Sequence, residues 1–114
     1  MAGEKMNTQF KKGVLGLCVL VLLKKKDCYG YELVETISQH IEISEGTIYP
    51  LLRKLTTDGM CTTYLQESNE GPSRKYYHLT DLGITYLEKQ LIDWQHFADS
   101  VETIIELGDD LNHE

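Results

Sequence analysis

The 114 residues, 41% hydrophobic and 25% charged, suffice for one domain with a modest core and exclude a disordered or fibrous chain. The longest apolar run, Val14 to Leu23, is half the roughly 20 residues a membrane span needs, and Lys24-Lys25-Lys26 follows it in place of a signal-peptide cleavage site, so a cytoplasmic protein with no membrane role is expected. The formal net charge of −7 argues against nucleic acid only until it is divided: residues 1–80 carry ten Lys/Arg and nine Asp/Glu, a net of +1, and residues 81–114 one Lys and nine Asp/Glu, a net of −8.

Taken in order, Met1 to Met6 read as disordered, and Asn7 or Thr8 can cap a first helix running to about Lys25. Phe10, Val14, Leu17, Cys18, Val21 and Leu22 supply its apolar face. Lys11 and Lys12 stand near its start, where a helix prefers anions, so they make better sense as phosphate clamps than as stabilising charges, although plain solubility also accounts for them. Asp27 to Tyr31 is a short connection into a second helix ending near His40, with Leu33, Val34, Ile37 and Ile41 inward. A short extended piece at Glu42-Ile43 follows.

The stretch Ile43 to Gly59 reads as a third helix with two faces. Ile48, Leu51, Leu52 and Leu55 make an apolar stripe, and Thr47, Tyr49, Arg53 and Lys54 project elsewhere. Ser44 is placed to cap it and Gly59 to end it. Pro50 removes a hydrogen bond and crowds the carbonyl of Gly46, which predicts an irregular first turn and not a break. The polar set can donate to phosphates or base edges, as a helix in a DNA major groove must. An ordinary solvated face is the plain alternative.

Met60 to Gln66 is rich in β-branched and aromatic residues, Glu67 to Ser73 is turn chemistry, and Arg74 to Leu79 alternates. This predicts a β-hairpin with a tip of six to eight residues and a basic Arg74-Lys75 shoulder. Of the adjacent Tyr76 and Tyr77, Tyr77 is expected to pack inward because Leu79 shares its face. Three helices followed by a hairpin make a winged helix-turn-helix, a mainly α fold with a small β-hairpin (α+β). A last helix starts after Thr80 as N-cap. Ile84, Leu87, Leu91, Trp94, Ala98, Val101 and Ile105 recur at heptad spacing along it, a seam that predicts a two-fold homodimer, with folding back onto the first helix as the competing use. Gly108 is expected to end this helix and Asp109 to Glu114 to fray. Residues 1–80 are thus the DNA-binding unit, and residues 81–114 the dimerisation helix with its acidic tail.

Cys18, Cys28 and Cys61 are an odd number without Cys-x-x-Cys spacing, and the four histidines are scattered, so no disulfide framework, metal site or cofactor is expected. No catalytic constellation or phosphate-binding glycine loop is present, and the chain does not read as an enzyme.

Several segments carry a specific resemblance: Tyr29-Gly30-Tyr31-Glu32-Leu33, Gly46-Thr47-Ile48-Tyr49-Pro50-Leu51-Leu52-Arg53-Lys54-Leu55, Asp58-Gly59, Gly71 with Arg74-Lys75-Tyr76-Tyr77, and Leu79-Thr80-Asp81-Leu82-Gly83. In these the chain resembles the PadR family of transcriptional regulators, in its small type with a single C-terminal helix. The resemblance implies a homodimeric repressor that places its third helix in the major groove of a two-fold double-stranded DNA operator. It also implies that a planar aromatic or phenolic effector can bind near Trp94 at the dimer seam, where a large core anchor is the plainer role. The expected DNA-binding set is Lys11, Lys12, Ser44, Thr47, Tyr49, Arg53, Lys54, Arg74 and Lys75. Two other readings stand beside it: a winged helix used for protein interaction without DNA, and a thiol- or metal-responsive regulator using Cys28 or Cys61.

Overall fold

A computed structural model describes the backbone of residues 2–113 and the side chains of residues 13–109. The order is α1 (Ala2–Lys25), β1 (Cys28–Tyr29), α2 (Gly30–Ser38), α3 (Glu45–Thr57), β2 (Cys61–Ser68), β3 (Gly71–Leu79) and α4 (Asp81–His113). The three strands form one antiparallel sheet in the order β1-β3-β2. This is the expected α+β winged helix with a long C-terminal helix.

One core joins these elements. Leu15, Val19, Leu20 and Leu23 of α1 meet Leu33, Val34 and Ile37 of α2, Ile48, Leu52 and Leu55 of α3, the inward sheet residues Cys28, Cys61, Tyr77 and Leu79, and Leu87 of α4. Tyr77 lies inward as its shared face with Leu79 required. The expected face of α1 is only partly in this core: Leu17, Cys18 and Leu22 pack against its edge, and the Phe10 side chain lies outside the described residues. Val14, Leu17, Cys18 and Leu22 are only half-buried and Val21 is exposed. Val14 to Leu23 is apolar all round, so periodicity could not choose between its two faces.

Four further boundaries differ from expectation. α1 begins at Ala2, since good helix formers such as Ala2, Glu4 and Met6 extend the helix past Asn7 and Thr8. The connection after α1 contains β1, whose Cys28 and Tyr29 pair with Tyr77 and Tyr76; two residues are too short a run to show strand alternation. The hairpin tip is only Asn69-Glu70, because irregular pairing between Gln66 and Ser68 lets both strands run on to the Ser68–Gly71 pair. Finally, α4 continues through Gly108 to His113, over 33 residues or about 50 Å. Gly59 is the one glycine with positive φ among the described residues, so nothing turns the chain at Gly108.

The end of α3 is closed as its sequence required. Gly59 takes φ +81°, its N–H donates to the Thr56 carbonyl at 3.1 Å, and the Met60 N–H donates to the Leu55 carbonyl at 2.9 Å. These are the paired bonds of a Schellman stop. The start of α4 is fastened to that stop. The Thr80 hydroxyl lies 2.7 Å from the Gly59 carbonyl and 3.0 Å from that of Met60, and it accepts the Gly83 N–H at 3.0 Å. A Cβ on Gly83 would stand 2.1 Å from the Met60 carbonyl oxygen, whereas one on Gly108 would meet nothing within 4 Å. Gly83→Ala should therefore lower the unfolding free energy by about 1–3 kcal/mol, and Gly108→Ala should raise it by about 0.5–1 kcal/mol. Denaturant titration followed by circular dichroism checks both signs; equal effects at the two sites would contradict the packing.

Candidate nucleic-acid interface

The third helix is presented on its N-terminal and outer faces. Ser44 holds the N-cap position with extended backbone, φ −119° and ψ 161°, but its hydroxyl makes no capping bond; it lies 3.4 Å from the Thr47 hydroxyl instead. The first turn is loosened ahead of Pro50: the Thr47 N–H reaches the Ser44 carbonyl at 3.0 Å, and the Ile48 N–H reaches it only at 3.4 Å. The helix nonetheless runs unbroken through Pro50 to Thr57.

The polar residues of α3 divide between two sides. Tyr49 is half-buried with its ring against the second helix, where a Cβ on Gly30 would come within 2.6 Å of Tyr49 Cε1. This contact explains the glycine in Tyr29-Gly30-Tyr31. Burial pushes the Tyr49 phenol pKa up, and the nearby Glu45 adds to the shift. Arg53 is exposed beside Tyr49, one turn further along. Lys54 turns away from it, pairs with Asp58 at 3.1 Å and faces α1 and α4. Thr47 is half-buried near Ser44. Lys11 and Lys12 lie on the described backbone of α1, but their side chains fall outside the described residues.

The wing completes a cleft next to Arg53. Strand β1 covers β3 only as far as Tyr76, so Arg74 and Lys75 project beyond its end. Arg74 stacks over the Tyr29 ring, 4.6 Å from its centroid, and Lys75 lies 5.8 Å from the Tyr77 centroid on the other face. Arg53, Arg74, Lys75, Tyr29, Tyr31 and Tyr49 line a cleft of about 370 Å³ between α3 and the wing, closed by Gly30 and Tyr77, and among the described residues no carboxylate lines it. Tyr29 and Tyr31 were not expected in this site. The Tyr-Gly-Tyr motif was their only signal, and its geometry depends on β1.

The outer face of the wing carries a row of rings: Tyr29, Tyr76 and Tyr64 follow one another at 5.5 and 5.6 Å. At its far end the Asp27 carboxylate accepts the Tyr64 hydroxyl at 2.7 Å and lies 2.8 Å from His78 Nδ1. The Tyr64 bond, followed by that of His78, holds the Asp27 pKa below its ordinary value, and the same carboxylate pushes the Tyr64 phenol up to about 12.

The heptad residues of α4 divide as well. Leu87 is completely buried in its own chain's core and Ile84 is half-buried against that core. Leu91, Trp94, Val101 and Ile105 remain 37–51% exposed, with Ala98 half-buried among them. Trp94 borders two apolar depressions. One, of about 320 Å³, runs between α1, α2 and α4 past Cys18, Val21, Leu22 and Ile41; the other, of about 360 Å³, lies beside Leu17 and Phe97. Cys28 and Cys61 are buried, and burial pushes both thiols up, away from the reactive thiolate. Among the described residues no group of three potential ligands could hold a metal, and no helix is long and apolar enough to cross a membrane.

The Asp27–Tyr64 bond sets a pH window. Asp27, with its pKa lowered, contributes stability above the unfolded value of about 3.9 and loses it as pH falls through the lower folded value. Tyr64, with its pKa raised, contributes below about 10 and loses that contribution as pH rises toward about 12. Tyr64→Phe should therefore lower the melting temperature at pH 7, and by progressively less as the pH falls below about 3.9. A difference between the two proteins that does not shrink as the carboxylate is titrated would show that the carboxylate is not involved.

A family model described as the transcriptional regulator PadR-like family matches residues 19–89. The chain is 32% identical over 93 residues to the negative transcriptional regulator PadR of Bacillus subtilis, which covers 78% of this chain but 51% of that protein. The structure is similar to that of a PadR-like transcriptional regulator from Bacillus cereus, with TM-score 0.77 and 37% identity over 85% of this chain and 96% of that one. It is also similar to a PadR family transcriptional regulator from Eggerthella lenta, with TM-score 0.78 and 31% identity over 92% and 93% of the two chains. The matched segment runs from the buried half of α1 through the whole wing into α4, and the chain belongs to the PadR-like family of transcriptional regulators.

Proposed function

We propose that this regulator is a dimeric repressor that binds a two-fold DNA operator through α3 and the wing and is released by a planar aromatic effector. The observation that carries the DNA reading is the convergence of Arg53, Arg74 and Lys75 on one cleft that, among the described residues, no carboxylate lines. A phosphate entering between α3 and the wing would meet cations from both, while the exposed Arg53 reaches toward base edges. Ser44 and Thr47 sit at the leading end of α3, and Lys54, from its other side, suits a flanking phosphate together with Lys11 and Lys12. Repression is supported by the likeness to a negative regulator. Residues 1–80 would then form the DNA-binding unit and residues 81–114 the dimerisation unit, with Leu87 and Ile84 belonging to the first in packing.

The uncovered second face of α1 supports the dimer. The half-buried Val14, Leu17 and Cys18 and the exposed Val21, beside Leu91, Trp94 and Phe97, leave a continuous hydrophobic surface for which a second copy is the economical cover. The two depressions beside Trp94 suit a flat aromatic molecule, which would stack on the indole.

Two measurements test these readings. Arg53→Ala should weaken binding to the DNA upstream of its own gene by about 1–3 kcal/mol while leaving binding to unrelated DNA much less affected. Equal losses on both would reduce Arg53 to a phosphate contact, and no loss would remove it from the interface. In sedimentation, the wild-type chain should be a dimer at micromolar concentration. Val21→Glu, which places a charge on the uncovered face outside the core, should weaken the dimer by about 3–5 kcal/mol with the fold retained. A wild-type monomer would overturn the dimer, and a dimer whose Trp94 fluorescence ignores a panel of planar aromatic compounds would overturn the effector site.

A further inference from the structure

Asp27 stands just before β1, yet its carboxylate reaches both other strands of the sheet: Tyr64 on β2 at 2.7 Å and His78 on β3 at 2.8 Å. Because the strand order is β1-β3-β2, one side chain thereby ties the end of α1 across the central strand to the outermost one. The backbone hold there is slight, since β1 offers β3 only two pairs. Beyond those pairs the hairpin extends from Arg74 and Lys75 to its tip unsupported by β1. At about 3.3 Å per residue, Arg74 lies roughly 13 Å from His78 along the strand. A few degrees of rotation at the base would move the two cations by about 1 Å, enough to misplace a contact whose useful range is 2.7–2.9 Å.

We propose that Asp27 is a positioning residue for DNA binding: it touches no DNA, and by bonding Tyr64 and His78 it sets the pose in which the wing offers Arg74 and Lys75 to the phosphate backbone. This rests on the wing-to-phosphate reading above. The sign of the effect separates it from simple electrostatics. Removing a carboxylate from a DNA-binding surface strengthens binding to a polyanion, so loss of affinity on removing Asp27 can come only through geometry.

The test uses the full chain and a random-sequence duplex, because phosphate contacts are read on any sequence. Affinity is measured by fluorescence anisotropy across a salt series for the wild type, Asp27→Asn, the pair Arg74→Ala/Lys75→Ala and the three changes combined. The Arg74/Lys75 pair should weaken binding and make the log–log salt slope shallower by about 1.8, at roughly 0.9 per phosphate. Asp27→Asn should weaken binding on the order of fivefold, the scale of one lost hydrogen bond, with a shallower slope, and should add nothing to the Arg74/Lys75 pair. Wild-type or tighter binding by a folded Asp27→Asn protein, beside a weakened Arg74/Lys75 pair, overturns the positioning role and leaves the wing reading intact. A loss of equal size in both backgrounds overturns it too, because Asp27 would then act elsewhere. An unchanged slope for the Arg74/Lys75 pair overturns the wing reading and this inference with it. Should Asp27→Asn fail to fold, Tyr64→Phe, which removes one of the two bonds from a half-exposed ring, decides by the same comparison.

Discussion

The rest of the structure depends on the corner where α3 stops and α4 starts. The Schellman bonds around Gly59 end α3, and the carbonyls of Gly59 and Met60 then point at the Thr80 hydroxyl. That hydroxyl donates to this pair and accepts the Gly83 N–H, so one side chain caps α4 and fastens it to the stop of α3. The whole hairpin is inserted between these two points in sequence, and it does not separate them in space. Asp58-Gly59 and Leu79-Thr80-Asp81-Leu82-Gly83 are therefore one structural unit split by the wing. Gly83 is required because the helix approaches a carbonyl too closely for any side chain. The two helices proposed to meet DNA and a second copy meet at this corner.

A second constraint comes from α1. Among the described residues, four of its apolar residues enter the core, and five others, Val14, Leu17, Cys18, Val21 and Leu22, stay half-buried or exposed. A helix that is hydrophobic all round is stable in water only when something lies on both sides of it. The exposed side is continuous with Leu91, Trp94 and Phe97 on α4. Among the described residues, no acidic residue of α4 lines the Arg53–Arg74–Lys75 cleft, so an overall charge of −7 is compatible with a basic cleft.

Much of this was legible in the residues because local chemistry and fold agreed. Ile48, Leu52 and Leu55 marked the inner face of α3, Gly59 its end, Thr80 a cap, and the Tyr77/Leu79 alternation the inner face of β3. What stayed hidden needed tertiary information. The choice between the two faces of α1 is made by what packs against it. Cys28 and Tyr29 become a strand only because β3 arrives beside them. Lys54 parts from Arg53 because a helix turns about 100° per residue, so neighbours in sequence separate to different partners. The span of Gly108 by α4 shows the limit of reading a glycine as a stop: the residue permits positive φ and does not impose it. The Asp27–Tyr64–His78 cluster joins positions up to 51 residues apart, and no pattern along the chain announces it.

The corner and the uncovered face together suggest how a ligand beside Trp94 would be felt at DNA. Because Thr80 fastens the start of α4 to the end of α3, a change in the angle at which two copies of α4 crossed in the proposed dimer would be passed toward the two α3 helices. Two such helices must match half-sites about 34–36 Å apart, or a multiple of that distance, so a small rotation at the seam becomes a spacing error at the operator. Trp94 lies about four turns beyond Thr80, close enough to the corner for the intervening helix to act as a stiff lever. A bound molecule shifts this equilibrium only by as much as it prefers one crossing angle to the other. The proposed effector would therefore have to discriminate between two packings of the same apolar surface. A flat aromatic molecule that stacks on an indole in one packing and is excluded in the other meets that requirement, which a merely tight ligand does not.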